Sequence, residues 1–361
     1  MEDPFDNACS HGRIEEVQQL LSNVNIESLQ EGLFGTCIRG HGEILKLLLK
    51  DERVDVNHAK EIGGRRPLYI ACVYGQLDIV KILLNDKRVN INQSTNEKYG
   101  QTALYKACYK GYSEIVKVLL NDERIEVNGE NEVCKTTPFF IACEHQHIEV
   151  VKVLLSDERV DVNKAKVGGQ TPFFYACYQG DIEIVKLLLS DKRIDINRGN
   201  DIHQTSFYIA CDNGHIEIVK LLLNDKRIVD INTPDIFLCT FLHTLCWKGH
   251  IDILEYILAS GRDVNLRAKE KNGKTAIDLA REREYKEKGY WEKEEDFQRR
   301  IKNCPKIVEL LESFETNPIE TRLRIKHGFT STFFFLIFLF IYYYYFFYET
   351  YIPLFFFFSF L

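Results

Sequence analysis

The chain has 361 residues, 45% apolar and 27% charged, with 46 basic against 53 acidic side chains for a net charge of −7. No stretch of its repetitive part gathers Lys and Arg without matching acids, which argues against nucleic acid as the principal partner. The opening Met1-Glu2-Asp3-Pro4-Phe5-Asp6 is acidic and lacks an apolar run, so no cleavable secretory signal is expected and the cysteines are expected to be reduced.

Eight of the eleven cysteines mark a repeat. Cys9, Cys37, Cys72, Cys108, Cys143, Cys177, Cys211 and Cys246 share one position of it, and from Cys37 onward they stand 34 to 36 residues apart. Arg281 takes the same slot in the final copy. A fixed period of this length signals a stacked repeat protein, a class that binds partners far more often than it catalyses. Each unit reads as two helices and a turn. In Thr171-Pro172-Phe173-Phe174-Tyr175-Ala176-Cys177, Thr supplies the N-cap oxygen and Pro sits where a missing amide costs nothing. Gly180 closes that helix, and Ile182, Ile184, Val185, Leu187, Leu188 and Leu189 give the apolar stripe of a second. Asn57, Asn92, Asn128, Asn163, Asn197, Asn232 and Asn265 recur at the turn into the next unit.

These motifs resemble the ankyrin repeat, whose familiar form begins Thr-Pro-Leu-His-x-Ala. Copies run Arg66-Pro67-Leu68-Tyr69-Ile70-Ala71, Thr102-Ala103-Leu104-Tyr105-Lys106-Ala107, Thr137-Pro138-Phe139-Phe140-Ile141-Ala142, Thr205-Ser206-Phe207-Tyr208-Ile209-Ala210 and Thr240-Phe241-Leu242-His243-Thr244-Leu245. The resemblance implies an all-α ankyrin-repeat solenoid of about nine helix-turn-helix units over residues 1–316, with atypical units at both ends. The family histidine survives at His243, and Tyr69, Tyr105, Phe140, Phe174 and Tyr208 are expected to replace it as core. The usual Gly-Ala turn gives way to Asp-Glu/Lys-Arg, as in Asp157-Glu158-Arg159, whose arginine is read as a solvated charge favoured at a helix C-terminus.

The resemblance also implies where a partner would dock: at the turn tips and on the first helix just before its closing glycine. Here that means Tyr74, Tyr109, Lys110, His145, Tyr178, Gln179, Asn213, Trp247 and Lys248. One unit departs from the pattern, with Gln146 for the closing glycine and Lys135 for a turn glycine, which makes it a candidate weak point.

No enzymatic chemistry is visible, and neither a cofactor, a metal nor a small-molecule substrate is expected. The chain has no Cys-x-x-Cys pair, phosphate-binding glycine loop or Gly-x-Ser-x-Gly elbow. Cys143 with His145 and His147 comes nearest to a metal cluster, and each residue is accounted for by its place in the repeat.

The last unit is interrupted by a charged insert, residues 282–303, containing Trp291, with Pro305 expected to begin the second helix. A polar cap is the expected role of this insert, and a partner loop or an unusual active site are the alternatives. Residues 317–328 read as a basic linker. Residues 329–361 then hold 13 of the 24 phenylalanines, and Phe329 to Tyr348 is a run of 20 residues without charge. As a helix that run spans ~30 Å, enough for a membrane anchor, while translated thymine- and adenine-rich sequence would produce a tract of the same composition. The function expected is a non-enzymatic scaffold or adaptor that binds a protein partner through the concave surface, with a cytoplasmic repeat domain held at a membrane by residues 329–348. The alternative is a regulatory subunit of a membrane transport or channel assembly.

Overall fold

In the computed structural model the residues described are 3–60, 63–95, 100–289 and 292–327. They form nineteen helices and, among the described residues, one isolated bridge, Lys269 to Thr275, in place of any strand. Nine helix pairs account for eighteen of them. The chain divides into two compact units, Met1–Asp201 with six pairs and Ile202–Leu361 with three pairs and a last helix, Pro318–His327. This is the all-α repeat architecture that the spacing implies.

In the first unit the pairs from the third onward are Pro67–Tyr74 with Leu77–Asn85, Ala103–Lys110 with Ser113–Leu120, Pro138–Glu144 with Ile148–Leu155, and Pro172–Gln179 with Ile182–Ser190. The N-cap threonines act as expected: Thr102, Thr137 and Thr171 accept hydrogen bonds from the amides of Tyr105, Phe140 and Phe174. Gly75, Gly111 and Gly180 end the first helices in the left-handed region, at φ of 73°, 77° and 82°. Each first helix of this unit buries its cysteine, and burial pushes the thiol pKa up at Cys37, Cys72, Cys108 and Cys143, and to about 12 at Cys9. All eleven cysteines are thiols.

The turns carry more structure than the sequence disclosed. Asn92 donates Nδ2 to the Arg124 carbonyl at 2.7 Å and accepts the Glu126 amide at 2.8 Å, so the amide of the Asn92-Gln93-Ser94 sequon is committed to the next unit. Asn57, Asn128 and Asn163 repeat the arrangement. The turn arginines are partly exposed, as expected, but they do more than sit beside a helix dipole. Arg124 donates to Leu84, Arg159 to Leu120 and Arg193 to Leu155, at 3.0, 2.6 and 2.7 Å, and each thereby caps an orphan carbonyl of the preceding unit. An aspartate two residues earlier holds each guanidinium in place by a fork, as in Arg159 to Asp157.

In the second unit the pairs are Ser206–Asp212 with Ile216–Asn224, Phe241–Lys248 with Ile251–Ser260, and Ala276–Glu284 with Glu294–Thr316. The last helix differs from expectation. It starts at Glu294, inside the segment read as an insert, and Pro305 lies within it. The bond that proline removes belongs to Ile301, whose side chain is exposed, so the helix continues. It passes directly over Gly249, where a Cβ would come within 2.9 Å of the Arg300 Cα. Residues 318–327, expected as a linker, are helical and docked, with Arg322 Nε donating to the Leu258 carbonyl at 3.1 Å. Trp291 and the apolar tail 329–361 lie outside the described residues.

Candidate functional site

The residues proposed from sequence for partner binding sit at the C-terminal ends of the first helices, and the repeat sets their spacing. In the first unit Tyr74 and Tyr178 are 51% and 43% exposed, more than Tyr69 or Tyr175 on the same helices, which are buried and half-buried. Tyr109 is half-buried, with Lys110 exposed beside it, and the exposed ring of His145 lies 4.5 Å from the Tyr109 ring. Gln179 is exposed next to Tyr178. Lysines lie against the aromatic faces: Lys106 stands 4.6 Å from the Tyr109 centroid, and Lys166 stands 4.1 Å from Tyr175 and 4.9 Å from Phe140. Glu144 holds Lys166 there at 3.7 Å. The surface is therefore aromatic, a residue type enriched at interfaces, with lysines held against the rings.

The second unit treats its candidates differently. Trp247 is half-buried because the guanidinium of Arg283 stacks 4.0 Å above its ring and Lys286 covers it at 5.6 Å. Lys248 is paired with Asp212 at 2.7 Å, and Asn213 Nδ2 turns back to the Ile209 carbonyl at 3.2 Å. These three residues are built into the fold, and their availability to a partner is lower than that of Tyr74 or Tyr178.

No group of three or more metal-ligating side chains comes together among the described residues. Cys143 is buried, His145 stacks on Tyr109, and Nε2 of His147 donates to the Tyr109 carbonyl at 2.9 Å. That last contact belongs to a series sequence reasoning missed. His41 and Gln76, at the same helix N-cap position, reach the carbonyls of Ser10 and Ile38 in the preceding pairs at 3.1 and 2.8 Å. The slot also holds Tyr112 and Asp181, whose side chains carry no N–H, so residue type at this position gave no consistent signal.

The aromatic row in the family-histidine slot is core, but its tyrosines keep a polar function. Tyr69 donates to Gln101 at 3.0 Å, Tyr105 lies 3.1 Å from the Thr136 hydroxyl, and Tyr208 donates to Asp235 at 3.3 Å. Asp235 is buried and accepts the Phe237 and Cys239 amides, both at 2.9 Å, so one carboxylate organises the turn. Asn131 and Glu270 do the same in their turns.

The turn tips add a second feature absent from the sequence reading. Val133 and Val167 in the first unit, and Ile236, Phe237 and Leu238 in the second, are exposed apolar residues where turns usually carry polar ones. Leu238 and His203 adopt φ of 62° and 63°, the left-handed geometry that Lys135 and Gln146 also adopt at 57°. The departure at Lys135 is thus one of three at the turn position, and the adjacent repeats carry Gly100 and Gly169 there.

A family model described as ankyrin repeats in three copies matches at residues 5–95, 33–131, 87–166, 124–200 and 198–268. Among solved structures, the crystal structure of the ankyrin repeat domain of Bcl-3, described as a unique member of the IkappaB protein family, is similar with a TM-score of 0.54 at 23% identity. That similarity covers 60% of this chain and 94% of the other, and at this identity it concerns the fold. No curated protein sequence matches.

Proposed function

The chain belongs to the ankyrin-repeat family, and we propose that it is a non-enzymatic scaffold or adaptor that binds a protein partner through the exposed ends of its first helices. One observation carries the reading: successive pairs of the first unit present Tyr74, Tyr109, His145 and Tyr178 on that surface, two of them strongly exposed. Tyrosines in such positions anchor interfaces, and truncating one often costs ~2 kcal/mol or more of binding. The fold alone does not name the partner.

The test is proximity labelling with the full-length protein against a Tyr74→Ala, Tyr109→Ala, Tyr178→Ala variant, with the folded state of both checked by circular dichroism. Partners labelled by the wild type and lost from the variant support the surface. Identical labelling by both moves the site to the turn tips or the outer helices.

Attachment to a membrane through residues 329–348 is the finer part of this proposal, and in that reading the repeats lie in the cytosol. Its support is the uncharged run from Phe329 to Tyr348 and its apolar composition. Among the described residues no helix is long and apolar enough to cross a membrane. Full-length protein should stay in the membrane pellet after carbonate extraction. Phe338→Arg with Ile341→Arg should release it, since each mid-span arginine costs about 2.5–3.5 kcal/mol. Wild-type protein in the carbonate supernatant sinks the anchor and leaves the interaction surface standing.

A further inference from the structure

The last repeat brings two buried arginines onto one carboxylate. Arg300 is fully buried and Arg283 nearly so, and both turn to one carboxylate: Arg300 grips Glu292 with Nε and Nη2 at 2.9 and 3.0 Å, and Arg283 Nη2 reaches it at 3.1 Å. Nη1 of Arg300 is satisfied by the Arg283 and Lys286 carbonyls. Two buried guanidinium groups on a single carboxylate leave one positive charge without a counterion, which is costly unless something supplies it.

The uncompensated charge faces a cavity of about 460 Å³ lined by Trp247, Arg283, Lys293, Arg299, His250 and Asp296, among others. The acids on its wall are already engaged. Asp212 holds Lys248, Asp296 holds Arg299, and Glu292 holds the arginine pair. Lys293 is exposed and makes no ion pair among the described residues. Burial, with the charges of Arg299 and Lys248 adding to it, pushes the His250 pKa down to about 4, so the imidazole is neutral at pH 7 and contributes no opposing or additional charge. Arg283 is held rigid, stacked on Trp247, with Nη1 making no hydrogen bond among the described residues.

We propose that this cavity is an oxyanion site that takes a phosphate monoester or a carboxylate, with Arg283 supplying the oriented donor and Lys293 the second charge. A guanidinium fork suits oxyanion geometry, and a half-buried setting strengthens it relative to a surface cation. Because the cavity adjoins Trp247 and Lys248 at the end of a first helix, an acidic or phosphorylated side chain of a bound segment would reach it. The oxyanion site itself does not depend on the partner surface proposed above, and the experiment reads it without any partner.

Isothermal titration of the full-length protein at fixed low ionic strength would use inorganic phosphate, a phosphoserine hexapeptide and its glutamate counterpart. We expect saturable binding of at least one probe. Lys293→Glu, an exposed change that leaves the arginine pair intact, should weaken binding on the order of tenfold. Arg283→Lys, which keeps the charge and loses the fork, should also weaken it, while Lys46→Glu on a helix of the first unit should not. Binding of the phosphorylated peptide alone assigns a phosphoryl ligand, and binding of both peptides assigns a carboxylate. Absence of saturable heat with all three probes, or equal affinity in the wild type and Lys293→Glu, overturns the proposal.

Discussion

Arg193 offers the cleanest test of how neighbouring repeats are joined. Its Nη2 donates to the Leu155 carbonyl at 2.7 Å and its Nη1 to the Asp157 carbonyl at 3.3 Å, while Asp191 fixes the guanidinium at 3.2 and 2.7 Å. The side chain is 34% exposed and that of Asp191 15%, so solvent screens part of the interaction. A charge-assisted hydrogen bond is worth about 1.5–3 kcal/mol when desolvated, and exposed ion pairs about 0–1 kcal/mol. Arg193→Ala should therefore cost about 1–2 kcal/mol. Arg193→Lys is the decisive variant. If the residue acted only as a positive charge at the helix end, lysine would keep the ~0.3–1 kcal/mol dipole contribution and stability would hardly change. If the fork matters, lysine cannot reproduce two carbonyl contacts and an aspartate clamp at once, and it should lose more than half of what alanine loses. Urea unfolding of the full-length protein at two salt concentrations reads both. A lysine variant as stable as the wild type refutes the capping argument.

Three further outcomes follow from the same geometry. Arginine hydrogen bonds hold the carboxyls of Asp51, Asp86, Asp122, Asp157 and Asp225 below their ordinary range; their contribution is therefore complete above the unfolded value near ~3.9 and is lost as pH falls through the lower folded values. The urea midpoint should begin to fall below about pH 6.5, where His250 protonates in the unfolded chain but stays neutral in the fold down to about 4, and fall further below about pH 4 through these carboxyls, less steeply there in Asp122→Asn with Asp157→Asn; an unchanged slope below about pH 4 in that variant places the acid sensitivity elsewhere. Lys135→Gly should stabilise the protein by roughly 0.5 kcal/mol, read as a higher urea midpoint: the left-handed penalty of ~1 kcal/mol less the freedom glycine adds to the unfolded chain. Gln146→Gly should gain less, because Gln146 also donates to Asp181, and a loss on Lys135→Gly would show that the turn is not strained. Trp247→Ala should destabilise the protein through loss of its packing against Arg283, by about 2 kcal/mol or more, whereas Tyr178→Ala should change stability by less than about 1 kcal/mol, both read by thermal unfolding; similar losses in both would mean that Tyr178 is structural.

The legible part of this protein is the part in which one residue type answers one local requirement. Cysteine at a fixed slot, threonine and proline opening each first helix and glycine closing it are each decided within about ten residues, so period alone reveals them. What the sequence concealed lies across the join between repeats. Asp157-Glu158-Arg159 reads as a solvated turn because its target, the Leu120 carbonyl, lies 39 residues back and carries no side-chain signature. Likewise nothing in the identity of His41, Gln76 or His147 announces a reach to a backbone oxygen one repeat away. The same blindness affected the candidate surface. Trp247 and Tyr178 occupy equivalent positions, and only the arrival of Arg283 from a later helix separates a committed ring from an exposed one. Pro305 misled for the opposite reason: a local rule, that proline begins helices, was overridden because the long last helix is held by Arg300, Asn303 and Cys304 against Cys246 and Gly249. Functional differences between repeats of one pattern are thus set by what the neighbouring repeat contributes, and the residues most open to a partner are those to which the neighbour contributes least.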